Sequence, residues 1–519
     1  MANRCIADIV RKFARETPEN TAIKFGDRRV SWRELDERAT RAAAGLQAAG
    51  ISSQQRVAFL AKNCLEYFEV SFGAAKLNAV VVAINWRLTP SEIAYTINDA
   101  DAKVLIVGSD FLDSATTLKE NLTTVAQIVA IGEHPVWQSY ESWLGPTGNP
   151  DPCVHTRDED ICLQLYTSGT TGLPKGVLTT NANLFTLLGQ VQGTWRFDRN
   201  SVNLVCLPLF HIAGCVWALL GMEVGATTIL ARDFDPQQIL DRMQSETVTN
   251  SLFVPAMLGS MARVPGAEER RFPALRSIMY GASPITNETL LAAMRVFKCE
   301  FVQVYGMTET TGAITELPAT DHDPSGSRSH LLRSAGKPYP WVELRVVDVD
   351  GRDCPAGQIG ELWARTPQNM RGYWNNPDET AATITVDGWL KTGDAGYLSD
   401  DGYVFLTDRV KDMIISGGEN IYPAEIENVL AGHPSVAEVA VIGVPSERWG
   451  ETVKAVVVLK ASQPASAADI IAYGKANLAG YKCATSVDFV AALPRNPSGK
   501  VLKRDLRAPH WAGKSRRIN

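Results

Sequence analysis

Short, continuous apolar runs recur along this chain, separated by segments with helical periodicity. Arg56-Val-Ala-Phe-Leu60, Ala79-Val-Val-Val-Ala83, Lys103-Val-Leu-Ile-Val107 and Thr227-Thr-Ile-Leu-Ala231 are of this kind. Such runs lack polar alternation, so each predicts a strand covered on both faces. The clearest helix starts at Ser31, where Ser31 and Glu34 read as a capping box. Trp32, Leu35, Ala39, Ala42 and Leu46 mark its buried face, and Gly50 ends it. Strands alternating with helices predict an α/β protein with parallel, doubly covered sheets. At roughly 150 residues per domain, 519 residues imply several domains or subdomains. With 45% hydrophobic and 21% charged residues, the composition excludes collagen, long disorder and a polybasic nucleic-acid binder.

The texture changes near residue 342. Glu343-Leu-Arg-Val-Val-Asp348 and Gly360-Glu-Leu-Trp-Ala-Arg365 alternate, as half-buried antiparallel strands do, and Asp348-Val-Asp-Gly351 and Ser399-Asp-Asp-Gly402 supply turns. Beyond Arg409 a Gly417-Gly418 loop leads to a helix opened by Pro423 and closed before Gly432-His-Pro434. Residues 436–444 and 452–459 then read as strands of a small α+β module. This places a boundary near 408, with domains over 1–408 and 409–519. Residues 201–222 carry no formal charge over about one membrane thickness, but Asn203, Pro208, His211 and Gly214 make them a buried strand, loop and helix. Nine scattered cysteines without Cys-x-x-Cys predict a reducing compartment and neither a disulfide framework nor a zinc site. Asp8, Arg11 and Lys12 break the first apolar stretch, so no signal peptide is expected and the predicted location is cytoplasmic.

The strongest local signal is Tyr166-Thr-Ser-Gly-Thr-Thr-Gly-Leu-Pro-Lys-Gly176, directly after the strand-like Cys162-Leu-Gln-Leu. Its hydroxyls and backbone N–H groups on a glycine-permitted bend suit phosphate oxygens, and Lys175 adds positive charge. A flexible Ser/Thr/Gly turn has the same composition. Pro174 stands where a P-loop NTPase has glycine. This segment resembles the phosphate-binding loop of the adenylate-forming superfamily, which includes acyl- and aryl-CoA synthetases, firefly luciferase and the adenylation domains of peptide synthetases.

The resemblance extends over nearly the full chain. It implies a large N-terminal domain with a distorted β-barrel subdomain and a small mobile C-terminal domain. Thr167, Ser168, Gly169, Thr170, Thr171, Gly172 and Lys175 would cradle the ATP phosphates. In Tyr305-Gly-Met-Thr-Glu-Thr310, Tyr305 would stack on adenine, with Gly306, Met307 and Thr308 beside the nucleotide. Glu309, with Thr170, would hold Mg²⁺. Gly281, Ala282 and Ser283 would line the adenine and border the acyl pocket. Asp394, in Thr392-Gly-Asp-Ala-Gly396, would accept the ribose hydroxyls, joined by Arg409. Pro208-Leu-Phe-His-Ile-Ala-Gly214 resembles the acyl-pocket motif, placing Phe210, His211, Gly214 and Cys215 at the acid, with His211 beside its carboxylate. A histidine on an apolar strand is otherwise an ordinary core residue. Trp374, in Arg371-Gly-Tyr-Trp, is better explained by packing.

Lys500, in Pro494-Arg-Asn-Pro-Ser-Gly-Lys500, resembles the family's catalytic lysine. A cation there would stabilise the negative charge that builds up when a carboxylate attacks the α-phosphate. The resemblance further implies a swing of the small domain about Lys411, with Ser416, Gly417, Gly418, Glu419 and Asn420 facing the pantetheine tunnel. The expected function is therefore an ATP- and Mg²⁺-dependent acid–CoA ligase. It forms acyl-AMP and pyrophosphate, then passes the acyl group to coenzyme A.

A medium- or long-chain fatty acid is preferred from the apolar character of 204–222. The alternatives are an aryl acid (coumarate- or ferulate-like), a steroid side-chain acid, and an acyl-AMP ligase that loads a carrier protein. From a different class comes a catalytically silent nucleotide sensor. A net charge of −6 hides an asymmetry: 15 basic against 10 acidic residues from Arg409 onward, and 36 against 47 before it. A basic module closing over triphosphate fits that distribution. Weak membrane association through this basic surface and a homodimer are further expectations.

Overall fold

The computed structural model describes residues 4–167, 173–409, 412–416, 419–461, 463–495 and 501–512, without the side chains of residues 408, 409, 419 and 420. The chain divides into two compact units. One comprises Met1–Leu332, Pro338–Glu343 and Arg365–Leu390; the other comprises Arg333–Lys337, Leu344–Ala364 and Lys391–Asn519.

The first unit is built on two mixed sheets, as the apolar runs predict. In one, Glu300–Met307, Ser277–Gly281, Asn250–Phe253, Val202–Val205, Thr227–Leu230 and Thr21–Phe25 lie parallel in that order. Antiparallel strands Gly312–Leu317 and Arg28–Ser31 flank them. In the other, Ile161–Thr167, Val80–Ala83, Arg56–Leu60, Ala102–Val107 and Gln127–Ala130 run parallel. Lys175–Thr180 turns back antiparallel against Ile161–Thr167. Every residue of Arg56–Leu60 and Val80–Ala83 is buried, which is why these strands read as unbroken apolar runs. The uncharged stretch becomes the strand Val202–Val205 and the helix Ile212–Glu223 inside this core. Among the described residues no helix is long and apolar enough to cross a membrane.

The helix Trp32–Ala48 starts at Ser31, whose hydroxyl accepts the Glu34 N–H at 3.2 Å. The reciprocal half of the box is not made there; complete boxes form at Thr89 and Thr180. This helix lies against Leu65–Lys76 so closely that a Cβ on Gly73 would stand 2.7 Å from the Ala39 carbonyl oxygen. Lys76, fully buried, donates to Asp36 and Asp151 at 2.6 Å each and to the Thr40 hydroxyl at 2.9 Å, so its charge is paired rather than stranded.

The second unit holds a four-stranded sheet ordered Glu343–Val347, Gly360–Arg365, Leu390–Leu398, Val404–Arg409. Asp348–Gly351 leads back to a bridge between Val347 and Asp353, and Ser399–Gly402 joins the last two strands. The C-terminal module pairs the long strands Val436–Ser446 and Gly450–Leu459 antiparallel, with Ser486–Phe489 parallel beside them. Pro423–Leu430 and Ala467–Asn477 cover a core of Ile414, Ile426, Leu430, Val441, Val457 and Ile470. The final helix Lys503–Trp511 belongs to this module. Lys503 pairs with Glu427 at 2.9 Å and Arg507 with Asp412 at 2.6 Å. Two of the basic residues counted in the C-terminal excess are thus held in ion pairs within the module.

Candidate active site

Two hairpins of the first unit carry the motif residues. The first pairs Ile161–Thr167 with Lys175–Thr180, placing Thr167 opposite Lys175. Residues 168–172, which include Ser168, Gly169, Thr170, Thr171 and Gly172, lie outside the described residues. The hairpin base is held from below: Tyr166 donates its hydroxyl to Asp99 at 2.6 Å, and Gln164 donates to the Tyr166 oxygen at 3.2 Å. Trp374 stacks on the Arg56 guanidinium at 3.8 Å and donates to the Asp99 carbonyl at 2.8 Å. Trp374 therefore packs the floor of the hairpin, as its motif suggested.

The second hairpin runs from Glu300–Met307 into Gly312–Leu317 through the short 3₁₀ turn Thr308–Thr310. Its register shifts between Tyr305 and Gly306, and a Cβ on Gly306 would overlap the Gly312 carbonyl oxygen, so only glycine fits. Thr311 adopts φ 54°, and its hydroxyl donates to the Gln368 carbonyl at 2.7 Å. The turn buries Glu309. Its carboxylate accepts from the Tyr373 hydroxyl at 3.0 Å, and Thr167 Oγ1 stands 3.5 Å from the same oxygen. Burial, and then the Glu309 charge, push the Tyr373 phenol up, so it stays a donor. Lys175 pairs with Glu379 and lies 5.3 Å from the centre of the Tyr373 ring. A buried carboxylate beside hydroxyls is a hard, all-oxygen donor set, the kind Mg²⁺ takes together with phosphate oxygens. Among the described residues, no cluster of three or more His, Cys, Asp and Glu side chains forms a metal cage.

Sequence reasoning missed Tyr373, Glu379 and the Tyr166–Asp99 bond. The signal for the first two was in view: Arg371-Gly-Tyr-Trp with Pro377 and Glu379 downstream is one segment, read there only for Trp374.

An apolar cavity of about 90 Å³ opens on the other side of the second hairpin. Gly281, Ala282, Gly306 and Met307 line it where their strands end, with Leu187 beside Gly312, while Trp195 and Trp217 line it next to Asn250 and Leu204. Gly281 is obligatory, because a Cβ there would overlap the Val304 carbonyl oxygen, and Ala282 takes φ 66°. Ser283 is half-buried next to it. Phe210, His211, Gly214 and Cys215 lie outside this lining. Phe210 meets Trp86 edge-on at 6.2 Å, the Tyr67 hydroxyl lies 3.4 Å from the Cys215 sulfur, and Gly214 packs on the Pro208 carbonyl. His211 stands at the N-cap position of the helix Ile212–Glu223 without a side-chain capping bond, and its buried Nε2 has no hydrogen-bond partner among the described residues. Burial, and then the Arg87 cation, push it down to about 4, so the imidazole is neutral at pH 7.

In the second unit Asp394 and Arg409 face each other as backbone partners on the antiparallel strands Leu390–Leu398 and Val404–Arg409. Thr392 Oγ1 donates to the Leu362 carbonyl at 2.8 Å and accepts the Asp394 N–H at 3.1 Å, fixing the strand backbone that carries Asp394. Ser416 pairs with Glu419 across a short hairpin and with Gly450. Lys411, Gly417, Gly418 and Lys500 lie outside the described residues, as do the side chains of Arg409, Glu419 and Asn420.

Residues 10–374 match the family described as AMP-binding enzyme, and 425–500 match the AMP-binding enzyme C-terminal domain. A fatty acid–[acyl-carrier-protein] ligase, ScoC of Streptomyces coeruleorubidus, is 40% identical, with 98% of this chain and 96% of that protein covered. Feruloyl-CoA synthase from an Amycolatopsis species is 36% identical, with 95% and 96% covered. The crystal structure of ATP-bound MatB from Rhodopseudomonas palustris superposes with a TM-score of 0.88 at 29% identity, covering 98% of this chain and 99% of that one.

Proposed function

The chain belongs to the family of AMP-binding enzymes, and from that premise we propose that it joins an apolar carboxylic acid to coenzyme A in two steps. The acid's carboxylate attacks the α-phosphorus of ATP, releasing pyrophosphate and leaving acyl-AMP. The thiol of coenzyme A then takes the acyl group and AMP departs. The observation that carries this reading is the Glu300–Leu317 hairpin, where Gly306, Met307, Gly312 and Ala313 wall an apolar cavity. Two residues beyond Met307, Glu309 is buried against Tyr373 and faces Thr167. In this reading, apolar acid and phosphate meet at that turn.

The residues have distinct tasks in this scheme. Thr167 and Lys175, with residues 168–172 between them, bind the phosphates. Glu309 and Thr170 would hold Mg²⁺, which neutralises phosphate charge. Tyr305, Gly281, Ala282 and Ser283 frame the adenine, and Asp394 and Arg409 the ribose. The neutral His211, which lies outside the cavity lining with its buried Nε2 unpartnered among the described residues, would turn toward the acid's carboxyl oxygen. Lys500 stabilises the charge on the α-phosphate only in the first step, and a movement about Lys411 exchanges it for the loop 416–420 in the second. All nine cysteines are free thiols, which supports a reducing, cytoplasmic setting.

A second reading is favoured by the 40% identity to a carrier-protein ligase: the acceptor is the same pantetheine thiol, borne by a protein. Acid-dependent exchange of labelled pyrophosphate into ATP, followed by addition of coenzyme A or a phosphopantetheinylated carrier protein, tests both. Thioester on coenzyme A is expected. Thioester on the carrier alone selects the second reading, and absence of exchange with every acid overturns the function.

A further inference from the structure

The apolar cavity has a floor that is built to stay where it is. Trp195 and Trp217 close it, with ring centres 6.1 Å apart, and both are buried. Each indole is tied at its nitrogen. Trp195 Nε1 donates to Glu316 Oε2 at 2.7 Å, an oxygen that also accepts from the Tyr339 hydroxyl at 3.0 Å. Trp217 Nε1 donates to the Leu204 carbonyl at 3.1 Å. The backbone is tied as well: Asn250 donates to the Trp195 carbonyl and Asn203 to the Trp217 carbonyl, each at 3.1 Å. Phe197 meets Trp217 edge-on at 5.0 Å from the side. To retreat before a longer ligand, Trp195 would have to leave the buried Glu316 carboxylate one donor short, and each indole N–H would lose its buried acceptor. Each such loss leaves a buried polar group unpaired, which is costly. An aliphatic floor would face no such penalty.

The volume then sets a limit. An apolar cavity of about 150 Å³ accommodates benzene. The roughly 90 Å³ here holds about three to four carbons on the same scale. We propose that this enzyme selects short, compact apolar acids, with about three to four carbons behind the carboxyl group, and that Trp195 and Trp217, clamped by Glu316, Tyr339 and the Leu204 carbonyl, are the residues that set this limit. The inference rests on the adenylating function proposed above, since it takes the Gly281 and Gly306 end of the cavity as the side on which the carboxyl group is activated. It replaces the medium- or long-chain preference drawn from the apolar character of 204–222: that stretch supplies the wall that ends the cavity, not a channel that extends it.

The test is a series of straight-chain acids from acetate to hexadecanoate, with benzoate added, assayed on the full-length enzyme by acid-dependent pyrophosphate release. Binding of each acid is measured separately by calorimetry in the absence of ATP. The native enzyme is expected to peak between butanoate and hexanoate in kcat/KM and to fall at least a hundredfold by dodecanoate, with benzoate also poor. Trp217→Leu is expected to move the optimum several carbons longer. Trp195→Phe, which opens the same floor from the other indole, is expected to do so to a smaller extent and guards against a misfolded Trp217 variant. A native optimum at decanoate or longer would overturn the proposal, as would a folded Trp217→Leu variant with an unchanged profile. Either result leaves the adenylating function intact. Failure of every acid to release pyrophosphate would instead strike that function.

Discussion

Tyr373 shows how a single side chain far away in sequence completes the site. Its hydroxyl reaches Glu309 across 64 residues of chain and fixes the carboxylate's orientation. A hydrogen bond to a charged group contributes about 1.5–3 kcal/mol, so Tyr373→Phe should weaken Mg²⁺-dependent nucleotide binding by about tenfold to a hundredfold. Calorimetric titration of ATP at stepped Mg²⁺ would read this, and unchanged affinity with an intact fold would rule the positioning role out. His211 makes a second prediction at this scale. Its folded pKa of about 4 lies below its ordinary 6.5, so below pH 6.5 the unfolded chain binds the extra proton first. The stability that the neutral imidazole contributes is therefore present above pH 6.5 and is lost as pH falls toward 4. The melting temperature of the native protein minus that of His211→Asn should shrink across that window; a constant difference would contradict the assigned neutrality.

At the scale of elements, the hairpin Glu300–Leu317 does the positioning, and its geometry depends on Gly306. An added methyl group would press on the Gly312 carbonyl across the bulge. Gly306→Ala should cost at least about 1–3 kcal/mol and abolish nucleotide binding. Gly189→Ala, in a helix with open space around it, should be neutral or stabilising by up to about 1 kcal/mol. Equal unfolding curves for the two variants would refute the close-approach argument. These elements were readable in advance because strands such as Arg56–Leu60 and Val80–Ala83 are buried along their whole length, and their apolar runs report that directly. The contiguous motifs around Thr167, Tyr305 and Asp394 were readable for the same reason, each being carried by one segment. The cavity floor was not. Trp195, Trp217, Glu316 and Tyr339 come from separate segments, and 121 residues separate Trp195 from the carboxylate that holds it. Lys76 is similar: a buried lysine becomes intelligible only once Asp36 and Asp151 are brought to it.

For the molecule as a whole, the proposed scheme has two chemical steps share one acyl carbon and gives Lys500 to the first step alone. Lys500→Ala should depress adenylation by orders of magnitude while thioester formation from supplied acyl-AMP largely survives; equal loss of both half-reactions would contradict that division of labour. The central claim is that a carboxylate oxygen attacks the α-phosphorus of ATP. Incubating the enzyme with butanoate labelled with ¹⁸O in both carboxyl oxygens, ATP, Mg²⁺ and coenzyme A, and weighing the released AMP by mass spectrometry, tests it most directly. AMP carrying one ¹⁸O is the predicted result, and unlabelled AMP, or ADP in its place, would contradict it.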